Sequence, residues 1–560
     1  MRHRRRLRFL VPLTALAVVL LAGGSLLGRC AAQHAHHGAA STGTELPVFT
    51  GLGDVHHPIS TRSPEAQRFF DQGLRLAYAF NHDEAIRSFH KAATLDSTCA
   101  MCWWGVGLAL GPNINNPMTA EAEQRAAAAL ERARSLAAHA TEEERAYIGA
   151  LSTRYAIPAG ENRAERDSAY ANAMRALMKR LPADNDAAVL CAESLMDLRP
   201  WNLWTVGGAE QPGTAEIVSI LEGVIQRAPD HTGALHLYIH TLEASPHPER
   251  AEAAADRLAK LTPEAGHLIH MPTHIYLRVG RYDDAERLNA RAIEVDREYI
   301  GKWKIETLYR YMYYPHNIHM RWSAVCSQGR SKAAAAAAAE LAEAVPFDAV
   351  RQMQPMEFFR APVYTTMVRF GRWDDALREP APPAEFRVTS AVWHYARGMA
   401  HAAKGDFAAA SAERDSIAAI AAALPEGTYF GLNPAGPLLR FAATHLEGEI
   451  AARSHKTPDA IKLLTRAAGM QDSLQYDEPP PWPLQARQAL GDVLLTAGRP
   501  ADAARVYQED LRRFPENGWS LYGLALAMRA QRGVPGASAV EGRFTKAWAK
   551  SDVVLQGSRF

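Results

Sequence analysis

Apolar residues along this chain recur three and four positions apart, the spacing that gives an α-helix one apolar stripe and leaves its other face polar. In residues 69–96, FFDQGLRLAYAFNHDEAIRSFHKAATLD, a polar break after Phe80 divides the run into two helices. Gly73 on the first helix is followed twelve residues later by Ala85 on the second, then by Phe89 and Ala92. The same turn returns as GRYDDA at 280–285, GRSKAA at 329–334, GRWDDA at 371–376, GDFAAA at 405–410 and GRPADA at 498–503. Small residues at matched places let paired helices approach closely, and each pair exposes a stripe that only the next pair can cover. No alternating Val/Ile runs interrupt this pattern, so little or no sheet is expected.

These intervals resemble the tetratricopeptide repeat (TPR), a 34-residue unit of two helices. Gly73, Ala85, Phe89 and Ala92 take its positions 8, 20, 24 and 27, and Leu490, Gly491, Ala503 and Pro515 take positions 7, 8, 20 and 32 of a later unit. The resemblance implies an all-α, right-handed TPR solenoid of antiparallel helix pairs whose concave groove receives a protein or peptide partner. Anchors are unevenly spaced, 49 residues from Gly280 to Gly329 and 42 from Gly329 to Gly371, so longer helices or loops are expected there. The alanine run 333–339 reads as helix propensity on a tightly packed second helix. The expected divisions are TPR-like repeats over 64–230, histidine-rich units over 231–345 and further repeats over 346–550.

Carrying the repeat ruler onto the histidines changes the picture. HLYIH supplies His236 and His240, HMPTH supplies His270 and His274, and the offset is 34 residues for both members. With Ala251 and Ala285 as position 20, all four fall at positions 5 and 9 of the first helix, and His267 falls at position 2. In YPHNIHM, His316 and His319 take positions 2 and 5. The resemblance implies that positions 2, 5 and 9 face the ligand groove. Residues four apart share a helix face and packed helices lie roughly 8–10 Å apart, so these seven imidazoles can converge on a transition metal ion, copper, zinc or iron. They can equally cradle an anionic or peptide ligand, or serve as satisfied structural polar groups. Pro272, between His270 and His274, is expected to kink its helix. Tyr238, Glu243, Tyr276 and Asn317 stand near enough in sequence to orient imidazole N–H groups, and the acidic pair of YDEPPPW, Asp477 and Glu478, either delivers carboxylates to the groove or forms a rigid connector.

Charge and composition narrow the function classes. With 62 Lys+Arg against 61 Asp+Glu, the chain lacks the electrostatic footprint of a nucleic-acid binder. No P-loop, GxSxG, HExxH or GxGxxG stands in its structural context, so there is no nucleotide signature and no common hydrolase motif. Arg2, Arg4, Arg5, Arg6 and Arg8 before the apolar run 9–27 form a signal-peptide pattern over residues 1–32, followed by a flexible histidine-containing linker over 33–63. The chain is therefore expected to be exported, to the periplasm or outside the cell. Membrane contact is expected only through an uncleaved or lipidated N-terminus, and Arg29 before Cys30 spoils a lipobox. Cys99 and Cys102 are spaced as a disulfide, a redox pair or soft metal ligands. Trp103 follows Cys102 where the c-type haem motif requires His.

The blocks CAMCWWGVGLALGPNIN, GHLIHMPTHIYLRVGRYDDA, YYPHNIHM, YDEPPPW and ENGWSLYGLAL together resemble a group of exported bacterial TPR proteins of uncharacterised function. That resemblance implies a recurrent design and no reaction. Two functions are expected from these observations: an exported TPR scaffold whose histidine-lined groove binds a transition metal or a partner segment, or a periplasmic metalloenzyme, hydrolytic or oxidative, with the same histidines as ligands.

Overall fold

The computed structural model describes residues 46–155, 159–531 and 535–560. The expected signal peptide 1–32 and residues 33–45 of the expected linker lie outside the described residues. Helix pairs succeed one another from Pro64–Tyr78 with His82–Leu95 to Gly518–Ala530 with Ala537–Ala547, an all-α solenoid of antiparallel pairs. Among the described residues, β structure is confined to the ribbon Tyr429–Phe430 with Asn433–Pro434 and two isolated bridges.

Helix boundaries follow local chemistry. Ser63 accepts from the Ala66 N–H, ahead of Pro64 in the first turn, and Thr141 with Glu144 forms a reciprocal capping box. Five repeat turns place glycine in the left-handed region: Gly280, Gly329, Gly371, Gly405 and Gly498 have φ of 81°, 68°, 64°, 82° and 72°. An L side chain is strained there. Pro272 has no N–H to give, and the helix divides around it into Gly266–His270 and Pro272–Val279, as the expected kink requires.

Two departures from a simple open solenoid shape the molecule. Residues 46–63, expected as part of a flexible linker, instead run as a strap across the first repeats. Phe49 N–H donates to Gln72 Oε1 at 2.8 Å, Thr50 Oγ to Glu264 Oε2 at 2.9 Å and Ser60 N–H to Glu144 Oε1 at 2.5 Å. Composition misled here because the polar strap makes its bonds to side chains remote in sequence. The second departure is closure by the C-terminal half. Trp519 Nε1–H donates to the Cys326 carbonyl at 2.9 Å, and Asp552 accepts from the backbone N–H groups of Ser331 and Lys332 at 2.6 and 3.0 Å, capping the helix Ser331–Ala344 from across the fold.

Closure makes the turn glycines unequal, which yields a test. A Cβ on Gly329 would lie 2.2 Å from the Trp548 indole, whereas one on Gly405 would meet nothing within 4 Å. Gly405→Ala is expected to cost only the left-handed backbone term, about 1–2 kcal/mol, and Gly329→Ala measurably more in urea denaturation. Equal losses would show that the C-terminal half does not press on that turn.

Candidate metal centre

Three consecutive repeats build the centre. The helix Thr232–Leu242 presents His236 and His240 from one face. The divided helix contributes His267, His270 and His274, and the π-helical turn Tyr309–Tyr313 leads into Tyr314–Ser327, which carries His316. The ligand atoms of His236, His240 and His267 all lie within 4.8 Å of one another, as do those of His270, His274 and His316. The two triads adjoin, with the His240 and His274 ring centroids 5.8 Å apart and those of His267 and His270 5.9 Å apart. His236 and His270 are wholly inaccessible to solvent.

The outer nitrogens fix how these rings face. His236 Nδ1–H donates to the Tyr78 carbonyl at 2.7 Å, and His240 Nδ1–H to Glu243 Oε1 at 2.9 Å. His270 Nδ1–H donates to Asn289 Oδ1 at 2.7 Å, and Asn289 is itself oriented by donating to the Ala285 carbonyl. His274 Nδ1 stands 2.5 Å from Glu243 Oε2 and 2.6 Å from Glu478 Oε2. The bonds of His236, His240 and His270 place the proton on Nδ1 and leave Nε2 as a lone-pair donor directed inward. The inner nitrogens therefore crowd together. His270 and His274 Nε2 are 2.7 Å apart, His236 and His267 Nε2 are 3.2 Å apart, and His240 Nε2 is buried with no hydrogen-bond partner.

Protons serve this arrangement only partly. Burial opposes charge on His274, but the Glu478 and Glu243 carboxylates outweigh it and raise its pKa to about 10. The His274 imidazolium can then donate through Nε2 to His270. Burial first, and then neighbouring imidazoles, hold His236, His267, His270 and His316 neutral well below the ordinary histidine range. If His267 supplies the Nε2–H facing His236, its own Nδ1 remains buried without a partner. Burial raises Glu478 to about 7, whereas Glu243, against the same burial, is drawn down to about 2 by His274 and His240. A cation in each triad would turn inward lone pairs into ligands, with three imidazoles to hold it.

Six of the seven expected histidines meet. His319 does not; its ring packs 5.5–5.8 Å from Trp322, Phe358 and Phe359, and burial lowers its pKa to about 3. Three residues past His316, it is turned toward the next repeat instead of the triad. Of the four neighbours expected to orient imidazoles, only Glu243 does. Tyr238 donates to Glu222, Tyr276 to Asp256, and Asn317 to the buried Asp296. Glu478 reaches His274 from the YDEPPPW segment, so that segment delivers a carboxylate. Asn289, Phe80, Trp201 and Tyr313 were not singled out in the sequence. Phe80 had a legible signal, because it occupies the place of the turn glycine. Cys99 and Cys102 are joined in a buried disulfide.

A third cluster, His57, Asp184 and Asp186, is satisfied without an ion. His57 Nδ1 lies 2.9 Å from Asp186 Oδ2, while His231 Nε2 and the Tyr78 hydroxyl share Oδ1 at 3.2 and 2.6 Å, fastening the strap.

No family model and no curated protein matches the chain. Solved structures with similar arrangements include the APC/C hetero-tetramer Cut9–Hcn1, at 12% identity over 86% of this chain and 76% of that one with a TM-score of 0.33. The human IFIT1 dimer with m7Gppp-AAAA is 12% identical over 87% and 91%, TM-score 0.31, and yeast Tom70 is 12% identical over 86% and 93%, TM-score 0.25. At these scores the fold rests on the helix pairing of the chain itself.

The raised His274 pKa sets a pH dependence for metal-free protein. Below about pH 6.5, the unfolded-state value, the ion pair contributes fully; the contribution falls as pH rises toward about 10, because only the folded state still holds the proton. Urea denaturation across that window is expected to show stability declining with pH in the wild type and a flatter profile in His274→Gln. Identical slopes would remove His274 as the cation.

Proposed function

We propose that this chain is an exported helical-repeat metalloprotein that holds two transition-metal ions side by side, one on His236, His240 and His267 and the other on His270, His274 and His316. The observation that carries the reading is the inward convergence of six imidazoles, three of which, His236, His240 and His270, have Nδ1 tied to a carbonyl, a carboxylate and an amide oxygen so that Nε2 faces inward. Structural histidines disperse their nitrogens to separate partners, whereas these face one another.

Copper fits the donor set best. Imidazole suits copper, zinc and iron alike, but neither triad contains a carboxylate or thiolate, and burial disfavours uncompensated charge. Two copper(I) ions bring two positive charges beside Glu243 and Glu478, half of what two divalent ions would bring. A three-imidazole set is one ligand short of a closed four-ligand structural site, so the oxidative metalloenzyme is favoured over the peptide scaffold. Burial of the imidazoles points the same way, since a peptide groove would expose them. Export draws support from the Cys99–Cys102 disulfide, a bond that persists in oxidising compartments. No helix among the described residues is long and apolar enough to cross a membrane.

Anaerobic reconstitution with copper(I), followed by desalting and metal analysis, tests the reading. About two ions per chain are expected, one per triad, and His240→Ala and His316→Ala should each retain about one. Glu243→Gln keeps both ligand sets but loses an oriented partner on each, so affinity is expected to drop about 10–100-fold. A wild-type protein that retains no copper, or a His240→Ala, His274→Ala double variant that retains as much as the wild type, would sink it.

A further inference from the structure

The two triads are not equivalent. Around His270, His274 and His316 the surroundings are polar, with Glu478 and Asn289 on the outer nitrogens. Around His236, His240 and His267 aromatic rings flank the imidazoles, with the Tyr78 carbonyl and Glu243 on the outer nitrogens of His236 and His240. The Phe80 ring centroid lies 4.4 Å from that of His236 and stacks on His240 and His267 at 5.7 and 5.6 Å. Trp201 meets His240 edge-on at 5.7 Å, and Tyr313 meets His267 at 4.7 Å.

Each of these rings comes from irregular backbone. Counted back from Ala85, Phe80 occupies the turn position held by Gly280, Gly329, Gly371, Gly405 and Gly498 in their own repeats. It adopts their left-handed conformation, φ 54°, at the strain a bulky side chain brings. The exposed His455 (φ 60°) takes the same turn without covering anything, whereas the Phe80 side chain is buried against the triad. Trp201 is also left-handed, φ 58°, and Tyr313 ends the π-helical turn Tyr309–Tyr313. Three unrelated irregularities thus converge on one triad.

Resting on the paired-metal reading, we propose that the ion on His236, His240 and His267 is the ligand-binding member of the pair, and that it takes a small neutral diatomic molecule of the dioxygen class beneath a roof of Phe80, Trp201 and Tyr313. Stacked rings at these distances leave no depth for an organic substrate. An anionic ligand would shed its hydration into an aromatic enclosure, and Arg278, the guanidinium beside Glu243, is engaged by the Glu243 and Ser245 carbonyls. A neutral diatomic molecule incurs neither cost and fits the open position of a three-imidazole ion.

Carbon monoxide and tert-butyl isocyanide bind copper(I) alike and differ in bulk, so they measure the roof. With copper content fixed first by metal analysis, the copper(I)-loaded wild type under carbon monoxide is expected to show one infrared C–O band displaced from the free gas, at about one molecule per copper pair. The band should vanish in His240→Ala and persist in His316→Ala. The isocyanide should bind the wild type at least about tenfold more weakly than it binds Phe80→Ala or, if that variant does not fold, Phe80→Leu. Copper retained without a C–O band, a band lost only in His316→Ala, or isocyanide binding unchanged by opening Phe80 would overturn the inference while leaving the metal pair standing. Failure to retain copper at all would overturn the reading beneath it.

Discussion

A single buried carboxylate organises the molecule. Glu243 is fully inaccessible and gives one oxygen to His240 and the other to His274, one imidazole from each triad. A carboxylate in such a place is tolerated because one oxygen accepts from His240 and the other lies 2.5 Å from the positively charged His274. In return it sets the rotation of two rings and thereby directs their Nε2 atoms inward. Its backbone is held as well, since the Glu243 carbonyl accepts from Arg278. Breaking such a buried pair typically costs about 3–5 kcal/mol, so the centre and the stability of the middle repeats cannot be altered separately.

The repeat period explains why the sequence exposed so much of this centre. His236 and His270, like His240 and His274, are the same helical position one repeat apart, and stacking equivalent helices must bring equivalent faces together. That is geometry any 34-residue ruler can read. His319 escaped the ruler because a helix turns by 100° per residue, and position in a repeat does not by itself say which neighbour a side chain meets. Asn289 and Glu478 were harder still: one lies on a second helix, the other several repeats away, and no local pattern marks either as a histidine partner. Phe80 was legible as a bulky ring where five sister turns carry glycine.

Contacts remote in sequence also separate this chain from an ordinary solenoid, in which each repeat touches only its neighbours and stability is a sum of local terms. Here the strap at 46–63 fastens His57 to Asp186 and Thr50 to Glu264, and the C-terminal half returns to cap Ser331–Ala344 and to lodge Trp519 against Cys326. Glu478 reaches His274 only because that return is made. Repeats with no histidine in the centre thus position one of its carboxylates.

Closure and chemistry impose opposite demands that the fold meets in one place. Excluding water is what makes the imidazoles neutral, and neutral imidazole is the form that binds a metal ion. The same exclusion makes every unpaired nitrogen costly, so the centre must be either fully partnered or occupied. At the second triad, the His274 imidazolium between Glu243 and Glu478 supplies a partner for His270. At the first triad Glu243 meets the outer nitrogen of His240, while the buried His240 Nε2 and His267 Nδ1 stay without hydrogen-bond partners. An ion bound there would give the inner nitrogen of His240 the partner it otherwise lacks.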